Sequence, residues 1–194
     1  MGRQSKFNFQ ERKYLPGEHN LMNIMAAICV SKVLEIPDDL IDKSVHSFKG
    51  LRHRMEYVGR FKGIDFYNDS ISTIPQSTIQ AVRSLKRVDT LILGGKDRGI
   101  DYRPLIDFLP DSGVKNLIFT GEAGKRIQNG LLENKTTINQ NYFFIHNFNE
   151  ISDIVRNNSA PGFICLLSPA AASYDIFRNF EERGEVFKKI AENL

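Results

Sequence analysis

The chain has 194 residues, a formal net charge of +3 at pH 7, 41% hydrophobic and 25% charged residues. That is the composition of a soluble globular protein with room for one good core and a second small unit. So small a charge, with no basic run carrying interleaved aromatics, argues against a nucleic-acid partner. No stretch reaches the roughly 18 apolar residues of a membrane span, and the polar start Met1–Lys13 has no apolar signal core. Cys29 and Cys165 lie in apolar runs and read as buried thiols of a reducing compartment. The expectation is a cytoplasmic monomer with no membrane or nucleic-acid partner.

Residues 1–16 carry no pattern and are expected to be partly disordered. Pro16-Gly17 marks a turn, and a helix opens at His19-Asn20-Leu21-Met22-Asn23. Met22, Met25, Ala26, Cys29 and Val33 recur at helical spacing and predict its apolar face. A second helix follows from about Pro37, with Asp38 and Asp39 favourably placed in its first turn, and ends near Gly50. Two helices with one apolar face each make a poor domain by themselves. They look like the tail of something larger.

At Leu51 the character changes. Met55–Phe61 and Ile64–Tyr67 predict two strands around a Lys62-Gly63 turn, a hairpin at the start of the unit. The chain then alternates: helix 76–85, strand 90–93, helix 104–109, strand 116–120, helix 123–132, strand 142–146, helix 149–157, strand 163–167 and a last helix from about Tyr174 to Glu192. Asn134–Asn141 reads as a polar loop. Short apolar strands alternating with helices predict an α/β fold. Its Rossmann-like, mostly parallel sheet carries helices on both faces and an edge hairpin, and a helical segment precedes it.

Three loops fall at carboxyl ends of strands, where open α/β sheets bind ligands. The first is Asn68-Asp69-Ser70-Ile71-Ser72-Thr73-Ile74-Pro75, with Pro75 at the first position of a helix and hydroxyls able to cap it or to meet a ligand. The second is Gly94-Gly95-Lys96-Asp97-Arg98-Gly99-Ile100-Asp101. Its glycines allow close backbone approach and Arg98 offers a fork suited to a carboxylate, although residue types alone favour a surface ion pair with Asp97 or Asp101. The third is Ser168-Pro169-Ala170-Ala171-Ala172-Ser173, where Ser173 reads most simply as a helix N-cap. Phe177, Phe180 and Phe187 form a stripe that reads as core. In Leu51-Arg52-His53-Arg54-Met55-Glu56, Arg54 suits a phosphate or a ribose edge, or an exposed linker. Thr120-Gly121-Glu122-Ala123-Gly124-Lys125-Arg126 lacks the spacing of a phosphate loop and reads as an ordinary strand-to-helix turn. The four histidines have no metal-ligand spacing, and no Gly-x-Gly-x-x-Gly follows the first strand, which sets aside a dinucleotide-dependent dehydrogenase.

Five segments in order carry a resemblance. They are Gly17–Asn23, Leu51–Glu56, Asn68–Ser70, Leu93–Asp101, and Leu167–Ala170 continuing through Phe177–Gly184. Together, over residues 17–194, they resemble the Mur ligases of peptidoglycan synthesis, and among them the glutamate-adding members. The family has three domains, and the resemblance implies that residues 1–49 are the tail of the central ATP-binding domain and 50–194 the carboxyl-terminal domain. It implies ATP-dependent amide formation through an acyl phosphate, joining D-glutamate to UDP-N-acetylmuramoyl-L-alanine, with ATP and Mg2+ as cofactors. No catalytic residue or metal ligand is expected within these residues, and the chain alone is expected to be inactive. Asn20, Asn23, Arg54 and Asp69 match positions that bind ATP. Thr73, Arg98, Ser173 and Phe180 match positions around the incoming glutamate. Ile71, Ile74 and Arg98 depart from the family pattern of lysine, asparagine and lysine. All three departures lie on the amino-acid side, which leaves an L-glutamate-adding variant open. A stand-alone, non-catalytic nucleotide- or amino-acid-binding domain is the other alternative.

Overall fold

The computed structural model describes residues 18–134 and 139–194. The expected disorder of 1–16 and part of the expected 134–141 loop lie outside the described residues. The chain divides into two compact units, Met1–Gly50 and Leu51–Leu194.

In the first unit, α1 spans Glu18–Val33 and α2 spans Asp38–Ser47. Asp38 and Asp39 sit in the first turn of α2, and Lys32 pairs with Asp38. The predicted apolar face of α1 is exposed, and Cys29, expected to be a buried thiol, is exposed with it. Met22 is 71% and Val33 81% exposed, while Asn20 and Ile24 are buried. The reason is compositional: α1 carries apolar residues around most of its circumference, so spacing does not choose a face.

The second unit is built on one six-stranded sheet. Its strands are β1 (Glu56–Phe61), β2 (Ile64–Asn68), β3 (Val88–Gly94), β4 (Asn116–Thr120), β5 (Asn141–Ile145) and β6 (Ile164–Leu167), in the order β1-β2-β6-β3-β4-β5. Only the β1–β2 pair is antiparallel. Lys62 and Gly63 turn that hairpin with φ of 49° and 80°, the left-handed pair a two-residue loop requires. The helices are α3 (Pro75–Leu85), α4 (Arg103–Phe108), α5 (Gly121–Glu133), α6 (Glu150–Asn158) and α7 (Phe180–Glu192).

Strand alternation splits the core in two. Leu91, Leu93, Leu117, Phe119 and Leu166 face Ile79, Leu105 and Ile127 of α3, α4 and α5. Ile92, Ile118, Cys165 and Leu167 face Ile151, Val155, Phe187 and Ile190 of α6 and α7. Cys165 is fully buried, as expected, and burial drives its thiol pKa far upward.

The last helix is shorter than expected. It begins at Phe180, not near Tyr174. Asn179 is its N-cap, accepting from Glu182 N at 2.8 Å, and Ser173 is not a cap. The segment before it is a series of turns in which Ser173 O accepts from Phe177 N. Phe177 therefore packs on the core from a turn, apart from the helical stripe.

Because β6 lies between β2 and β3, the three candidate loops leave adjacent strands. The chain reaches α3 on one face from β2 and α7 on the other from β6, which makes this the topological switch point of the sheet.

Candidate functional site

The floor of the site is the loop after β2. Asp69 is 2% exposed. Its Oδ1 accepts from Met55 N at 3.1 Å and its Oδ2 from Ser168 Oγ at 2.7 Å, while its own N–H donates to Leu167 O. Burial pushes its carboxyl pKa up; the hydroxyls of Ser72 and Ser168, Met55 N–H and the Arg54 charge pull the other way. Asp69 thus ties the 51–55 segment to the loops after β2 and β6.

That segment is strained. His53 and Met55 have φ of 62° and 47°, left-handed values that cost a non-glycine residue about 1–2 kcal/mol each. The strain is held by named bonds. His53 N donates to Glu56 Oε2 at 2.8 Å, Ile71 N to His53 O at 3.1 Å, and Met55 N to Asp69. Between the two strained residues Arg54 is exposed, and among the described residues its guanidinium has no carboxylate partner. Arg54 and Asp69, expected together on the ATP side, are brought together in this way. Asn20 and Asn23 lie one turn apart on α1 in the other unit, Asn20 buried and Asn23 exposed.

The loop after β3 is built on close backbone approach. A Cβ on Gly94 would lie 2.0 Å from Thr120 O, and Gly94 has φ of 108°, so only glycine fits here. Lys96 N donates to Ala172 O at 2.9 Å, laying this loop against the one after β6. Neither aspartate near Arg98 pairs with it. Asp97 is taken by Arg126 at 2.6 Å and Asp101 by Arg103 at 2.6 Å. Those guanidinium groups hold both carboxyls below the usual range, Asp101 at about 2. Arg98 is exposed and donates to Thr73 O at 3.3 Å. The surface ion pair that residue types alone favoured is therefore not formed. Thr73 and Arg98 meet directly. Ser173 is buried in the loop that Lys96 joins.

Phe180 is joined to the loop after β2 through Ser70 Oγ, which donates to Phe180 O at 2.7 Å. It lies against His53, edge to face at 5.9 Å, and lines a groove of about 740 Å³ together with Ile71, Leu51 and Glu185. The His53 ring is buried, with Nδ1 2.9 Å from Asn68 Nδ2. Burial lowers its pKa despite nearby Glu56 and Glu185.

The residue that sequence reading passed over is Arg183. Its guanidinium, 1% exposed, reaches Ser70, Ala171 and Gly94 across all three loops. Only its place in the segment Phe177–Gly184 hinted at it. Among the described residues, no group of three His, Cys, Asp or Glu side chains forms a metal site, and no helix is long and apolar enough to cross a membrane.

Residues 53–171 match the family model "Mur ligase, glutamate ligase domain". The chain is 38% identical over 186 residues to UDP-N-acetylmuramoylalanine–D-glutamate ligase of Caldanaerobacter subterraneus subsp. tengcongensis, covering 93% of this chain and 40% of the relative. It is 38% identical over 192 residues to the ligase of the same name from Clostridioides difficile, covering 97% and 41%. It spans about two fifths of the length of these relatives. Among solved structures, UDP-N-acetylmuramate-alanine ligase MurC of Thermotoga maritima shares the fold at a TM-score of 0.67 and 14% identity, covering 92% of this chain and 39% of that one. With the switch-point loops built from the segments that the family model spans, and relatives at this identity over nearly all of its residues, the chain belongs to the Mur ligase family.

Proposed function

We propose that this chain forms the amino-acid- and ATP-facing side of an ATP-dependent amide ligase that joins D-glutamate to UDP-N-acetylmuramoyl-L-alanine during peptidoglycan precursor synthesis. The observation that carries the reading is Arg98. It is exposed at the switch point, free of a carboxylate partner among the described residues, and bonded to Thr73 O while the aspartates beside it are each held by another arginine. A planar fork of donors suits an incoming carboxylate. Relatives at 38% identity are named as D-glutamate ligases.

In this reading Thr73, Arg98, Ser173 and Phe180 orient the incoming amino acid. Arg54 supplies positive charge to the nucleotide phosphates from a segment that Asp69 fixes, and Asn20 and Asn23 face the adenine. Positioning and charge neutralisation of this kind account for much of the rate in acyl-phosphate chemistry. Residues 1–49 are then the tail of a central ATP-binding domain, consistent with the exposed apolar residues of α1. Magnesium finds no fitting donor set among the described residues, so no step is assigned to it here. The enzyme is taken to work as a cytoplasmic monomer. The L-glutamate reading rests on Ile71 and Ile74, 36% and 43% exposed beside Thr73 where the family carries polar side chains.

The test is kinetic, in the full-length enzyme, with D- and L-glutamate titrated separately. Arg98→Ala should raise the glutamate KM about ten- to a hundredfold, the loss of a charge-assisted contact, and leave the ATP KM little changed. Arg98→Lys should recover part of it. An unchanged glutamate KM in Arg98→Ala refutes the assignment. A wild-type preference for the L isomer selects the variant. The 194-residue chain alone should release no phosphate from ATP above background.

A further inference from the structure

Arg183 has the largest fully buried side chain among the described residues. Among these residues, no carboxylate lies within ion-pair distance of it. The Asp175 carboxylate acts on it only from beyond that distance; burying a cation with no direct ion pair is costly, and a well-packed apolar side chain would give a more stable core. Something other than stability therefore explains its presence. What it does have is an array of acceptors. Nε donates to Ser70 Oγ at 3.0 Å, Nη2 to Ser70 O at 2.8 Å and to Ala171 O at 3.1 Å, and Nη1 lies 3.5 Å from Gly94 O. Burial lowers its pKa to about 10, so it stays charged at pH 7.

Those acceptors come from three separate loops, after β2, β3 and β6. Each loop carries one residue assigned above to the amino acid. Thr73 is three positions beyond Ser70, Arg98 four beyond Gly94 and Ser173 two beyond Ala171. The fourth, Phe180, lies one turn before Arg183 on α7, and Ser70 Oγ, itself an acceptor of Arg183, donates to Phe180 O at 2.7 Å. The guanidinium is joined to all four segments.

We infer that Arg183 is a positioning residue, whose guanidinium clamps the loops after β2, β3 and β6 to the start of α7 so that Thr73, Arg98, Ser173 and Phe180 converge on one amino acid. The inference rests on the proposal that these four face the incoming amino acid. Only arginine suits the role, because its planar fork reaches several carbonyls at once where lysine offers donors from a single point. The clamp also explains Gly95, whose Cβ would lie 3.1 Å from Nη1 and 2.2 Å from Ala172 O.

The test has two arms. In this chain, hydrogen exchange of Arg183→Met should accelerate in 69–73, 95–99 and 170–175 and stay near wild type in β4 and β5, the pattern of local opening. In the full-length enzyme, Arg183→Met should raise the glutamate KM by about tenfold or more, as for lost charge-assisted bonds, with the ATP KM little changed, and Arg183→Lys should fall between. Uniform acceleration of exchange, or glutamate and ATP KM rising together, overturns the inference and leaves Arg183 a core residue. If Arg183→Met does not fold, Arg183→Lys decides. A raised glutamate KM at wild-type melting temperature supports the clamp, and wild-type kinetics refute it. A wild-type enzyme that uses no glutamate would refute the proposed function, while the exchange arm would still decide whether the clamp exists.

Discussion

Asp69 illustrates how much a single residue here depends on its partners. Its charge is held in a buried place, and the direction of its pKa shift gives the sign of its effect. The folded chain binds the Asp69 proton more tightly than the unfolded chain does, so the carboxylate's cost in stability is full above its raised pKa and is relieved as pH falls through that pKa toward the unfolded value of 3.8. Asp69→Asn removes the charge yet keeps an acceptor for Met55 N, and the Ser168 hydroxyl can turn to accept. It should melt within a few degrees of wild type at pH 7, as followed by circular dichroism. Asp69→Ala leaves Met55 N without its acceptor and should lose about 1–3 kcal/mol. A much lower melting point for Asp69→Asn would show that the charge itself holds the loops. Asp65 has the opposite sign. Arg60 lies opposite it in the hairpin and donates twice, at 2.8 and 2.7 Å, and this holds the Asp65 carboxyl below its ordinary value. The stabilisation is complete above the unfolded pKa of 3.8 and is lost as pH falls through the lower folded value. Asp65→Asn should therefore lower the melting temperature by a constant amount between pH 7 and 5, with the gap closing only below about 4. Because Arg60 is more than half exposed, the gap should be small.

At the scale of elements, the start of α7 decides where Phe180 and Arg183 stand. Asn179 fixes it, and a turn later Gly184 lets the helix approach the strained segment. A Cβ at Gly184 would lie 2.2 Å from His53 Nδ1 and 2.8 Å from Asn68 Nδ2, both buried side chains already committed to each other. Alanine would bring about 1 kcal/mol of helix propensity, but overpacking at such a site costs typically 1–3 kcal/mol, and the overlap here is severe. Gly184→Ala should be destabilising in urea unfolding. Gly130, inside α5, offers a matched contrast. Its Cβ would meet only the end of the Ile106 side chain, at 2.4 Å, which can turn aside. Gly130→Ala should be neutral or stabilising by up to about 1 kcal/mol. Equal effects of the two substitutions would show that backbone propensity, and not the contact with His53, decides at 184.

At the scale of the molecule, both halves of the core draw only on residues from Met55 onward. Residues 51–194 expressed alone should therefore unfold in a single cooperative transition in urea, with the hairpin β1–β2 as their first element. A non-cooperative transition would mean that the first unit is needed for the second to fold. The exposed apolar residues of α1, by contrast, belong to the unit with two helices and few buried side chains. That unit by itself has little apolar surface with which to offset chain entropy.

The sequence alone determined the element order, the parallel sheet with its edge hairpin and the position of the candidate loops. Those follow from local rules: side-chain alternation, turn residues such as Lys62-Gly63, and proline at the start of α3. It also marked Asp69 and Arg98 as residues of interest. Tertiary structure decided the rest, because the rest depends on which distant atoms meet. The aspartates nearest to Arg98 in sequence bind arginines of other elements, and this leaves Arg98 available. The apolar character of α1 was legible, yet which side is buried was not, since a helix apolar on most sides has no preferred face. Ser173 resembled a cap, but Asn179 took that role because the turns after Pro169 delay the helix. Above all, nothing local to Arg183 distinguishes it from a surface arginine. Insertion of β6 between β2 and β3 draws the acceptors of three loops around one guanidinium, and spacing along the chain carries no trace of it.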